Sequence, residues 1–458
     1  DLSPGFEGRR DLYDRPIFPE CLFCHANRAL PVKDTVNCFR EPLFQGYAIG
    51  CQRCHGPGEL HVQARTHDEP VKEFDDTIVN PIRLAPELRE AVCQQCHLEG
   101  ILRVQARGRE YFDYRPGLPW QLFWSVLVRA ESAADQKFVS AVEQMHDSRC
   151  FRESNGKMGC ISCHDPHRMP QADQRIAFYR ERCLRCHQDR GCSLPVGARL
   201  AKNKADDCIA CHMPPFSTAD ITHTAATDHR VLRRVGKAGG ALQTSLASKD
   251  VPDIAHFNQS ASSFKDLAAA RALGIAAIEL VRVSEHPERE RRRVQSALPL
   301  VEQALQTWPD DVAAWEARGN GLFVLDRYED ALASFEHVLS LAPQREQALV
   351  GAAAIARALG RDELEFGFWQ RALAVNPTSL QYRVGLANNL AKRKDWPNAV
   401  AECHKVLKQY PASMQARLLL AAYYRQHGDK ASARIEFERF LALNPPNAEG
   451  LKRWFDAR

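Results

Sequence analysis

Over residues 263–458 apolar positions recur at helical spacing inside a unit that itself repeats. Pro309, Pro343, Pro377, Pro411 and Pro445 stand 34 residues apart throughout, each placed to close the second helix of a unit. Ala331, Ala399 and Ala433 share one small-residue position. Phe335, Trp369, Cys403 and Phe437 share an aromatic position four residues on, and Leu339, Leu373, Leu407 and Leu441 follow one turn later. That is the apolar stripe of a packed helix. Cys403 therefore reads as a core residue standing in for an aromatic, not as chemistry. A degenerate unit precedes, with Ala297, Val301 and Leu305 in register and Trp308-Pro309 at its end; its charged stretch 284–293 reads as a solvated face. Four full or near-full repeats are expected between about 275 and 444, with a capping helix near 446–456.

The first half has no such period. Pro42, Gly46, Gly50, Pro57, Pro81, Pro86, Pro116 and Pro119 interrupt it, and they break regular structure. Short helices are predicted at 87–97, 120–148 and 172–187. Residues 233–262, rich in Gly, Ala and Ser, read as a linker. The expected organisation is a first domain at 1–232 with little regular structure, the linker at 233–262, and an α-solenoid at 263–458. The class is mainly α. The 34-residue period is that of tetratricopeptide repeats, whose concave face typically takes a peptide or protein, and the array is expected to be separable from the first half.

Composition sharpens the division. Of sixteen cysteines in 458 residues, only Cys403 lies beyond position 211. The net charge of +4 argues against nucleic acid as a partner, and no run of about twenty apolar residues offers a membrane span. The chain opens at Asp1 without Met or a secretory pattern, which reads as a processed or truncated form.

Twelve of the cysteines fall in six CxxCH pentapeptides: Cys21, Cys24, His25; Cys51, Cys54, His55; Cys93, Cys96, His97; Cys160, Cys163, His164; Cys183, Cys186, His187; and Cys208, Cys211, His212. Two thiols three positions apart can each add to one vinyl group of a heme, and the next residue is then placed to ligate the iron. Paired cysteines also build zinc sites, but zinc has no need of His after every second Cys. A disulfide within CxxC would close a tiny strained loop. The reading is six covalent heme c groups, and thus export, because cytoplasmic thiols are kept reduced.

If every iron is closed on both sides, six further ligands are needed. The candidates are His61, His67, His146, His167, His223 and His229; His256 reads as ordinary surface. His167 follows His164 by three residues, too short a tether to reach the opposite face of the same heme, so it should serve a neighbouring one. His61, beyond the Gly56-Pro57-Gly58 turn, suggests the same. Met158, Met169 and Met213 are possible sulfur ligands, with core packing the commoner use of Met. Cys150 and Cys192 flank the fourth and fifth motifs, and a bridge and two free thiols both stay open. With one heme per few dozen residues, the hemes themselves are expected to form the apolar core.

Three extended segments carry a family resemblance. Met158-Gly-Cys-Ile-Ser-Cys-His-Asp-Pro-His-Arg168, Cys51-Gln-Arg-Cys-His-Gly-Pro-Gly-Glu-Leu-His61 and Cys208-Ile-Ala-Cys-His-Met-Pro214, with Asp220-Ile-Thr-His223 and Thr227-Asp-His229, resemble TPR-fused multiheme c-type cytochromes. That family is related to the nitrifier tetraheme cytochrome and, distantly, to hydroxylamine oxidoreductase. The resemblance covers about residues 1–232 and implies a periplasmic or extracellular electron-transfer protein. Its partners would be redox proteins, a protein or peptide on the repeats, and neighbouring copies in a wire or filament. The alternative is a multiheme oxidoreductase of a nitrogen or sulfur species with one open heme, at His97 or His25. A scaffold with purely structural hemes is a third, extravagant option.

Overall fold

The computed structural model describes residues 17–46, 48–67, 70, 73–129, 140–188, 192–203, 205–215, 227–233, 254–257, 266–283, 287–445 and 447–456. These form two compact units. One holds Glu20–Ala29 and Phe44–Leu280; the other holds Leu30–Leu43 and Val281–Arg458. The units therefore do not follow the boundaries expected at 232 and 263. Helix Leu267–Glu279 sits in the first unit, and a short stretch before residue 44 sits with the repeats.

The first unit is built on a three-stranded antiparallel sheet of β1 (Leu102–Gln105), β2 (Trp124–Arg129) and β3 (Ile254–His256), in that order. Leu127 faces Leu102 on one side and His256 on the other. Two expectations are corrected here. Residues 120–148 are not one helix: Trp120–Leu122 is a short 3-10 turn, the Trp-Ser-Val-Leu-Val run forms β2, and among the described residues of this stretch Ala141–Asp147 alone is α-helical. Aromatic and β-branched residues favour the pleat, and pairing on both edges decides it. The expected linker contributes β3, which closes the sheet. Gly100 turns the chain into β1 at φ 62°, and any Cβ there would fall on the Leu127 carbonyl.

Against this sheet lies a protein core, where hemes alone were expected. Phe23 meets Phe112 edge-on at 5.5 Å, Tyr114 meets Phe123 at 5.6 Å, and Trp120 stacks on Trp124 at 6.2 Å. The Arg53 guanidinium covers Phe23 at 4.4 Å. Helix Leu267–Glu279, capped by the Asp266 side chain, ties itself on through an Arg271 bond to the Gln105 carbonyl.

In the second unit four helix pairs follow the 34-residue period: 312–324 with 328–341, 346–358 with 362–375, 380–392 with 396–409, and 414–426 with 430–441. A single long helix, Pro287–Thr307, precedes them in place of the degenerate pair, and Ala448–Asp456 follows. The stretch expected as a solvated face largely enters that first helix, where Arg293 is buried and Arg291 bonds Asp326. Phe335, Trp369, Cys403 and Phe437 are all buried. Ring room comes from glycines on the facing helices: a Cβ on Gly319 or Gly351 would overlap Phe335, and one on Gly385 would overlap Trp369. At the small-residue position the third member is Glu365, fully buried and held by Arg357, Trp369 and Asn389.

Candidate heme-attachment site

Each CxxCH lies on or at the end of a short helix, which holds the two thiols and the imidazole on neighbouring turns. Pro86–His97 and Arg175–His187 end in their motifs as predicted, Pro19–His25 exceeds its motif by two residues, Cys208–His212 coincides with its own, and Gln52–His55 and Cys160–Cys163 each leave one end of the motif as a cap.

The motifs are brought together in a definite order. Cys24 lies beside Cys96, Cys93 beside Cys160, and Cys183 beside Cys208. Helix Gln52–His55 packs on Pro86–His97, and Cys160–Cys163 packs on Arg175–His187. The first and second motifs thus adjoin the third, and the fourth, fifth and sixth continue from it. In each thiol pair the neighbouring thiol lowers one partner, so Cys96, Cys208 and Cys93 fall below the ordinary thiol value. Burial pushes up both Cys150, beside Cys186, and Cys163. Cys150 and Cys192 are free thiols, not a bridge, and Cys192 lies against Arg199.

Imidazole placement tests the fit to heme. Two histidines on opposite sides of one iron, each at a metal–nitrogen distance of about 2 Å, stand with ring centroids about 6 Å apart. His55 and His167 lie 5.8 Å apart with planes 12° from parallel. His164 and His229 lie 6.3 Å apart at 30°. Each pair joins a motif histidine to a non-motif histidine from another segment, and His167 faces the second motif, not its own.

Nitrogen use agrees. His55 Nδ1 donates to the Val79 carbonyl, His212 to Leu232 and His229 to Thr227, each at 2.7 Å. His61 Nδ1 meets Asp75 Oδ2 at 2.9 Å. Anchoring Nδ1 fixes the tautomer that leaves the Nε2 lone pair for a metal. The carbonyl partners were not legible in the sequence, because a backbone carbonyl carries no residue signal.

The other candidates divide. His67 is exposed, with Nδ1 on the Gln63 carbonyl of its own helix. His427 makes the same bond to Tyr423 in the repeats, so this is a helix-end habit. His146 stacks on Phe151 at 4.0 Å, beside Phe257. His223 falls outside the described residues. His256, expected at the surface, is buried on β3 with Nε2 on the Ala269 carbonyl, the wrong nitrogen for a ligand held through Nδ1. Met169 is exposed. Burial lowers His97 and His164, and His229 adds to both shifts; His25 and His187 are exposed. Among the described residues no three His, Cys, Asp or Glu converge on a metal-ion site, and no helix is long and apolar enough to cross a membrane.

Known proteins match parts of the chain. The family Tetratricopeptide repeat matches residues 288–346 and 384–448, and Doubled CXXCH motif matches residues 154–191. A TPR repeat-containing protein of Rhizobium etli is 33% identical over 104 residues, 23% of this chain and 51% of that protein; the chain thus spans about half the length of that relative. Among solved structures, MamA is similar at 16% identity and a TM-score of 0.33, over 34% of this chain and 92% of that one. YrrB, described as a TPR protein with an unusual peptide-binding site, is similar at 18% and 0.33, over 40% and 91%. The chain joins tetratricopeptide repeats to a paired CxxCH heme-binding motif.

Proposed function

We propose that this is an exported electron-transfer protein that relays electrons through six covalently bound hemes c and docks to a partner through its repeats. The observation that carries this is the pairing of His55 with His167 and of His164 with His229 at the spacing of two ligands on one iron. Heme c supplies a one-electron iron centre when bound. Cys51, Cys54, Cys160 and Cys163 would attach it at these two sites. The paired imidazoles would close both faces, which suits a relay better than substrate binding. Motif adjacency supports short steps between centres. The Nδ1 anchors at Val79, Leu232 and Thr227 would hold the rings still as the charge changes. The resemblance to TPR-fused multiheme cytochromes points the same way, and export would follow from it, because attachment to CxxCH takes place outside the cytoplasm.

A second reading has one observation in its favour. His229 lies 6.3 Å from His164 and within electrostatic reach of His97, so a single imidazole acts on two motif histidines. An open iron at His97 would suit an oxidoreductase of a nitrogen or sulfur species. Intact mass and pyridine hemochrome should both report six hemes, and four or fewer would overturn the proposal. Low-temperature EPR of the oxidised protein should show low-spin iron throughout; one high-spin centre would favour the second reading.

A further inference from the structure

The repeats are not uniform, and the departures gather at one junction. At 34-residue offsets the residue before each first helix is Asp311, Arg345, Ser379 and Ser413. Asp311, Ser379 and Ser413 cap their helices through the side chain; Arg345 makes no such bond. The next position is Val312, Glu346, Leu380 and Met414, so a glutamate replaces an apolar residue only here. Two positions further stand Ala314, Ala348, Tyr382 and Ala416, and Tyr382 alone is large. Three exceptions to the internal pattern thus belong to one place.

What fills that place is the chain's own segment Leu30–Leu43, which belongs to the same compact unit as the repeats. It is a closed loop. Pro31 bridges Phe39, the Val32 amide donates to the Cys38 carbonyl at 2.8 Å, and Thr35 Oγ1 donates back to Val32. At its tip Asp34 takes a left-handed φ of 66°, which Asp tolerates better than most residues. The Asp34 carbonyl accepts the Glu346 amide at 2.9 Å, supplying the cap that Arg345 lacks. The Val36 amide donates to Glu346 Oε1 at 3.2 Å, and Asn376 Nδ2 donates to Asn37 Oδ1 at 2.8 Å. The Arg345 guanidinium lies 3.6 Å from the Asp34 carboxylate. Glu346 is fully buried and also receives Tyr382 Oη at 2.7 Å and Asn376 Nδ2 at 3.2 Å.

A buried carboxylate would be costly without donors, and here one donor comes from the loop. Glu346 reads the loop's backbone in both directions, while Arg345 and Asn376 read one side chain each. A buried carboxylate also serves helix stacking within the repeats, as Glu365 does with Arg357, Trp369 and Asn389; Glu346 differs in exchanging backbone hydrogen bonds with a segment outside the repeats, which is the chemistry of peptide recognition.

We propose that the Arg345–Glu346–Asn376–Tyr382 junction is a recognition site for a tight turn carrying Asp, then Asn three residues on, and that the Asp34–Asn37 turn occupies it in cis. The site is therefore closed to a partner bearing the same turn until the resident loop leaves, and a partner's apparent affinity falls by the fraction of chains in which the loop is out. This holds whether or not the hemes relay electrons.

The test uses the full heme-loaded chain. The double substitution Asp34→Ala and Asn37→Ala frees the site without touching the repeats. The probe is a fluorescent, head-to-tail cyclised peptide of residues 30–40 with Cys38→Ser, read by anisotropy. The freed variant should bind it at least tenfold more tightly than the unaltered chain, and an added Glu346→Gln, Asn376→Ala pair should abolish that binding. Equal binding by both chains, or none by the freed variant, overturns the proposal. Amide hydrogen exchange gives an independent reading. The Val36 and Cys38 region should be protected at least a hundredfold in the unaltered chain and lose that protection in the variant; an unprotected loop in the unaltered chain also overturns it.

Discussion

Replacing His167 with Ala isolates the ligand argument. The imidazole is 76% exposed, so its loss belongs with surface changes worth within about 0.5 kcal/mol of fold stability. Its stacking partner, His55, keeps its Nδ1 bond to Val79. The expected effect is therefore electronic and confined to one centre. If all six motifs carry heme as proposed, one heme in six should lose its second imidazole, so about one sixth of the iron should pass from low to high spin. Because His167 faces His55 at 5.8 Å, that heme should be the one on Cys51 and Cys54, not the one on Cys160 and Cys163, whose own motif lies three residues away. EPR of the oxidised variant counts the high-spin iron, and millimolar imidazole should return it to low spin. Identity comes from a background in which Cys51→Ala and Cys54→Ala remove the second attachment site. There, His167→Ala should change nothing further. A new high-spin heme in that background would refute the cross-ligation.

Two further outcomes concern the repeats. Gly351→Ala places a Cβ 2.6 Å from Phe335 Cζ and 2.7 Å from Cε1; overpacking of about 1–3 kcal/mol outweighs a gain in helix propensity of about 1 kcal/mol, so the thermal midpoint of the repeat transition should fall, and a rise would refute the packing assignment. Burial pushes the Cys403 thiol up to about 12, so native protein at pH 8–9 should resist alkylation at Cys403 while unfolded protein reacts readily. A raised thiol value stabilises the fold below the ordinary value near 9, and that contribution is lost as the pH climbs toward about 12; fast native alkylation at pH 8 would show that Cys403 is not the core residue its position implies.

What was legible in the sequence follows the range of the interactions involved. A heme-attachment motif is five consecutive residues long, so all six CxxCH pentapeptides can be read directly from the chain. Stacking repeats a constraint every 34 residues, so Phe335, Trp369, Cys403 and Phe437 announce one buried position even though one of them is a cysteine. Structure set by distant partners was not legible. Residues 120–148 read as one helix, yet Leu127 pairs with Leu102 and with His256, and the second of these lies within a stretch that looked like linker. The Ala-rich helix Leu267–Glu279 looked like the opening of the repeat array because its composition suits either role. Only its bond from Arg271 to Gln105 and its packing on the sheet assign it to the first unit.

The junction at Glu346 lies between these cases. Its departures from the internal pattern were visible at offsets of 34, since a charged residue stands where Val312, Leu380 and Met414 stand elsewhere. Their meaning was not visible, because the Val36 amide that satisfies the carboxylate comes from more than three hundred residues earlier. A repeat protein thus offers its own control. Where the other units begin with a capping side chain, an apolar residue and, two positions on, an alanine, two neighbouring units abandon these between them, the first at Arg345 and Glu346 and the next at Tyr382, and the residues that fail the pattern mark the place where the resident loop is held.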